Sequence, residues 1–139
     1  MKNIVRLIYL SSATRDMSLS DMKDILTYAR KNNQSLGICG MLCYDNLYFV
    51  QALEGEREAV NELFFHISDD ARHSDVIITS YEYIDKPTFT EWNMGYAGST
   101  PIFTELLARL SQTEFEPTKL PPKQIYALLR HLSAHQQKV

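Results

Sequence analysis

The chain has 139 residues, 45% of them hydrophobic and 22% charged, which suits one compact soluble domain with a C-terminal appendage. The net charge of −3 lacks the basic footprint of a non-specific nucleic-acid binder, so no direct nucleic-acid partner is expected. No run approaches the ~20 apolar residues of a membrane span. The start, MKNIVRLIYLSSATRD, reads as a strand and not as a signal peptide, so a cytoplasmic protein without membrane contact is expected.

The first strand alternates. Val5, Leu7, Tyr9 and Ser11 share one face, and Ile4, Arg6, Ile8 and Leu10 the other. Both faces are largely apolar, so layers should cover the sheet on both sides. Ser18 with Asp21 three residues on marks a helix start, a variant capping box. Met22, Ile25, Leu26 and Ala29 then recur at helical spacing, and this helix is expected to end near Asn32-Asn33. Two apolar runs, GICGMLCY and LYFVQALE, flank Asp45-Asn46 and predict a β-hairpin, with Phe49, Gln51 and Leu53 on one face of its second strand. A second helix is expected from about Glu56 to Asp70, striped by Val60, Leu63, Phe64 and Ile67. VIITSYEYI reads as a fourth strand and EWNMGYA as a fifth, with Trp92, Met94 and Tyr96 on one face.

The order β-α-β-β-α-β-β is the ferredoxin-like α+β pattern, with two helices on one sheet face. The other face needs a cover. IFTELLARL and PPKQIYALLRHL are the candidates, the latter striped by Ile125, Leu128, Leu129 and Leu132 behind a Pro121-Pro122 start. Residues 1–97 are therefore read as a ligand-binding domain and 98–139 as a helical extension that packs on the sheet or makes a dimer contact.

Cys39 and Cys43 on one strand would lie about 13 Å apart, too far for a disulfide, which needs Cα atoms within about 7 Å. They read as reduced core thiols in preference to the alternative that one is redox-active. His131 and His135 could share a helix face, but no third ligand is evident and no metal site is expected.

Tyr9 and Gln51 place a phenol and a primary amide in what should be core, and burying either unpaired costs about 1–3 kcal/mol. They are either separately satisfied or a hydrogen-bonded pair beside a ligand. Asn32-Asn33 could be a helix C-cap or an amide pairing with an imide-like ligand edge. Asp70, Arg72 and His73 could form a solvated turn or grip ribityl or phosphate oxygens. Trp92 and Met94 could be core or could border an aromatic ligand.

Several spaced motifs occur in order: RLIY-S, NN-x3-GI-x-GMLCY, F-x-Q-x-LEG, D-x-RH-S and EWNM. Over about residues 3–97 the chain resembles BLUF domains, blue-light sensors that use FAD, and with its tail it is similar to the short stand-alone kind. The resemblance implies a photoreceptor that is not an enzyme. In it Tyr9 donates an electron and proton to excited flavin, and Gln51 rearranges between tyrosine and flavin. Asn33, with Asn32 beside it, would hold the polar edge of the ring, and Ile25 and Ile67 would sandwich it. Asp70, Arg72 and His73 would contact the flavin and its chain, and Ser11 and Phe49, on the faces of Tyr9 and Gln51, would complete the cofactor contacts. Trp92 and Met94 would relay the signal to a downstream effector protein, and a homo-oligomer is expected. Cys39 departs from the Thr of many relatives, which would place a thiol near the pocket. The rival reading is a ferredoxin-like interaction or small-ligand module without photochemistry.

Overall fold

The structure, a computed structural model, describes residues 3–90, 94–98 and 100–135. Five strands form one sheet: β1 (Ile4–Ala13), β2 (Cys39–Asp45), β3 (Tyr48–Glu56), β4 (His73–Tyr83) and β5 (Gly95–Ala97). Their order is β4-β1-β3-β2-β5. All neighbours are antiparallel except β2 and β5, which run parallel. Helices α1 (Leu19–Leu36) and α2 (Arg57–Ser68) follow β1 and β3, and α3 (Pro101–Arg109) and α4 (Pro122–Ser133) form the tail. The result is the expected ferredoxin-like α+β sheet.

The alternation of β1 divides the core in two. Val5, Leu7 and Tyr9 join Met22, Leu26, Val60 and Leu63 under α1 and α2. Ile8 and Leu10 join Phe103, Leu107, Ile125, Leu128, Leu129 and Leu132 under α3 and α4. The tail thus lies on the sheet face opposite the first two helices. No helix among the described residues is long and apolar enough to cross a membrane.

Several boundaries differ from expectation, among them that of β4, which starts at His73, three residues before the expected Val76. Helix α1 starts as anticipated, with Ser18 and Asp21 exchanging both bonds of a capping box, but it runs past Asn32-Asn33 to Leu36. Its cap is Gly37, at φ 68°, whose N–H bonds to the Asn33 carbonyl. Glycine enters this left-handed region without the Cβ penalty that an asparagine cap would carry. The hairpin turn slides by one residue, to Asn46 and Leu47, with φ values of 51° and 66°. Helix α2 is Arg57–Ser68, shorter by a residue or two at each end. Strand β5 begins only at Gly95, so Met94 precedes it, and Trp92 lies outside the described residues.

The tail-side core contains one polar hub. The fully buried Glu54 accepts from Arg6 at 3.1 Å and from the backbone N–H groups of Thr88 and Phe89 at 2.7 and 2.8 Å. Arg6 also reaches Glu82 at 2.8 Å and lies over the Tyr126 ring of α4. Burial works against the Arg6 cation, but its hydrogen bonds to Glu54 and Glu82 outweigh this and raise its pKa. Cys39 belongs to this side, with Sγ 3.8 Å from Glu54, and not to the α1/α2 side, so the expected thiol near the pocket is not there. The strand's period of two sends residues 39, 41 and 43 to the tail face. Burial and the neighbouring Glu54 push the Cys39 thiol up to about 12, and both cysteines are free.

Candidate functional site

A cavity of about 510 Å³ opens between α1, α2 and the sheet. It falls within the ~300–1,000 Å³ typical of small-molecule sites. The helical stripes explain its walls. Met22 and Leu26 on α1 are fully buried, whereas Ile25 and Ala29, one helical step round, stay partly exposed because they face the cavity. On α2, Val60 packs down while Leu63 and Ile67 turn toward the opening. The sheet supplies Tyr9, Leu42, Phe49 and Gln51.

Tyr9 and Gln51 are direct cross-strand partners on β1 and β3. The Tyr9 hydroxyl donates to Gln51 Oε1. The other end of the same amide, Nε2–H, donates to the Met94 sulfur at 3.3 Å. Tyr9 is fully buried, Gln51 is 5% exposed and Met94 1%. Burial, helped by the Asp70 charge, raises the Tyr9 pKa and keeps the phenol protonated. Phe64 and His73 meet its ring edge-to-face, at 5.5 and 6.1 Å between centroids.

The polar ends of the cavity are pre-arranged. Asn33, fully buried, and Asn32 project from the last turns of α1. At the other end Arg72 grips Asp70 through Nε (3.0 Å) and a terminal nitrogen (2.6 Å), and its backbone N–H adds a third bond at 2.8 Å. The Arg72 hydrogen bonds hold the Asp70 carboxyl down at about 2. His73 shares a 2.6 Å hydrogen bond with Ser11 Oγ and lies 4.5 Å from the Phe49 ring. Its burial lowers the imidazole to about 4, so it is neutral near pH 7.

The cavity therefore brings together Tyr9, Ile25, Asn32, Asn33, Phe49, Gln51, Ile67, Asp70, Arg72 and His73. Ser11 does not line it and acts behind His73. Tyr28, Ser35 and Leu36 on α1, Leu42 on β2, and Glu62, His66 and Asp69 around α2 also line the cavity without having been singled out. Repeated steps of three and four residues from Ile25 reach Tyr28, Ser35 and Leu36; Glu62, His66 and Asp69 fall off the Ile67 stripe, and Leu42 is on a strand.

Apolar walls with amides at one end and a carboxylate–guanidinium fork at the other define a site for a flat heteroaromatic ring with a polar edge and a hydroxylated chain. The family model described as BLUF, sensors of blue-light using FAD, matches residues 4–95, and the chain belongs to this family. It is 34% identical over 134 residues to the photoactivated adenylate cyclase subunit beta of Euglena longa, and 33% to that of Euglena gracilis. Each alignment covers 94% of this chain but only 16% of the relative, so the chain spans a small part of those proteins. Among solved structures, BlsA in its photo-activated state superposes with a TM-score of 0.90 at 34% identity, covering 98% of this chain and 99% of BlsA. BlrB in its dark state gives 0.81 at 31%, covering 97% and 98%. The chain is thus a BLUF blue-light photoreceptor domain whose cofactor is FAD. The residues present fit that group: amide donors and acceptors suit an imide edge, and Ile25 and Ile67 offer apolar surface to ring faces.

Proposed function

We propose that the domain works as a light-driven hydrogen-bond switch centred on Gln51. The observation that carries this is the unbroken chain Tyr9–Gln51–Met94, of which Tyr9 and Gln51 line the cavity and Met94 lies behind them. FAD, when bound, supplies the blue-light absorption and an excited state that takes an electron from a nearby phenol. Tyr9 is that donor, and its proton follows along the hydrogen bond to Gln51 Oε1. On return of the electron and proton to Tyr9, the amide is left reversed. In that orientation Nε2–H faces the Tyr9 oxygen and Oε1 faces the Met94 sulfur. A thioether accepts hydrogen bonds but donates none, so the Gln51–Met94 bond is lost. Two discrete arrangements follow, one with Met94 held and one with it released.

The other site residues hold the cofactor: Asn32 and Asn33 at the ring's polar edge, Ile25 and Ile67 on its faces, Phe49 and His73 beside it, and Asp70 and Arg72 on its chain. Ser11 orients His73. Residues 1–97 form the sensing unit and 98–139 an extension that passes the change on. The domain itself catalyses no reaction, and its output runs through a homo-oligomer and an effector protein. Support for an effector comes from relatives named for a photoactivated adenylate cyclase and from BlrP1, a neighbour solved with cyclic diGMP.

The test is the absorption spectrum of the FAD-loaded protein before and just after blue light. A red shift that reverses in darkness is expected; bound flavin with no reversible shift would refute the reading.

A further inference from the structure

We infer that Arg30 is a positioning residue for the switch, acting on Gln51 through Met94. Strand β5 does not hold Met94, because its ladder with β2 begins at Gly95, paired with Met41. The Met94 carbonyl instead accepts a 3.0 Å hydrogen bond from Nε–H of Arg30, on α1. The side chain of the same residue accepts from Gln51 Nε2 at 3.3 Å. One backbone contact and one side-chain contact thus fix Met94 from two directions. Its methyl group has a seat as well: a Cβ added at Gly40 would stand 3.1 Å from Met94 Cε, so the glycine leaves room for it.

Arg30 is flanked on α1 by Ala29 and followed by Asn32 and Asn33, all lining the cavity. The guanidinium therefore links the helix that supports the ring to the residue that holds the amide. It bonds to backbone, so its grip persists in either orientation of Gln51. Hydrogen bonds from charged donors are among the stronger ones. Arg30 sets how closely the sulfur approaches Nε2, and with it the preference for the Met94-held state.

The significance for signalling rests on the reading of Gln51 as the switch; the dark-state geometry does not. The experiment is a double-mutant cycle of Arg30→Ala and Met94→Ala, with two readouts on FAD-loaded full-length protein. The first is the ¹⁵N–¹H signal of the Gln51 side-chain amide in darkness, assigned by its loss in Gln51→Ala. The second is the dark-recovery rate of the red shift. Arg30→Ala should move the Gln51 signal in the direction of Met94→Ala and change recovery at least about fivefold. In the double variant it should add nothing further to either. Arg30→Lys, which keeps a donor, should lie closer to wild type than Arg30→Ala. An unmoved Gln51 signal, additive effects, or a Lys variant as altered as the Ala one would overturn the inference. Arg30→Met, which keeps the apolar stem, replaces Arg30→Ala should that variant not fold. A wild-type protein without a red shift would refute the photochemical reading, while the amide signal would still decide the role of Arg30.

Discussion

Tyr9 and Gln51 satisfy each other across two strands, and this resolves the cost of burying a phenol and an amide. Tyr9→Phe removes the donor and leaves Gln51 Oε1 facing an apolar ring. It should lower unfolding stability by about 1–3 kcal/mol in denaturant titration and abolish the normal photocycle. His73 makes a pH prediction. Its folded pKa of about 4 lies below the ordinary 6.5, so between these values the unfolded chain binds more protons than the folded one. Stability is complete above pH 6.5 and falls as pH drops from 6.5 toward 4, by up to about 3 kcal/mol at ~1.4 kcal/mol per pH unit. Asp70 adds a second loss lower down, as pH falls from 3.8 to about 2 and its contact with Arg72 is protonated away. Thermal melts across pH 2–8 should show both windows; His73→Phe should remove only the upper one.

At the scale of elements, the cap and the hub make separate contributions. Ser18→Ala removes the Oγ acceptor for the Asp21 N–H while leaving the bond from the Ser18 N–H to Asp21 in place, and should cost about 1 kcal/mol. Glu54→Ala should cost more, about 3–5 kcal/mol, because it strips Arg6 of a buried partner and orphans two backbone N–H groups. Urea denaturation of both variants would rank them, and an equal loss would contradict the hub's importance. Much of this layer was legible in the sequence. The Ser18–Asp21 pair, the stripes of α1, α2 and α4, and the alternation of β1 each carry their own geometry. The slid hairpin was not, because Leu47 at a positive φ carries no residue-type signal. Nor was the parallel pairing of β5, since three residues are too few to show a period. The cavity's central pair was legible from two polar groups out of place in apolar strands. Arg30, a charged residue on a helix that already had charged neighbours, gave no such signal.

For the whole molecule, the sheet separates the cavity from the tail helices. Its α1/α2 face holds the cavity, and its other face packs Ile8, Leu10, Met41 and Val50 against α3 and α4. Removing residues 98–139 would expose that apolar face, so the truncated chain should melt lower and aggregate, as light scattering would show. The hub lies on the tail side of the sheet, where Arg6 and Glu54 tie β1 and β3 to Glu82 of β4 and to the Tyr126 ring of α4. The central claim is that the orientation of one amide, Gln51, carries the signal. Its most direct test is the light-minus-dark absorption difference of FAD-loaded Gln51→Ala beside wild type. Flavin binding with no lasting red shift in the variant is the expected result. A red shift of normal size that recovers in darkness would contradict the account.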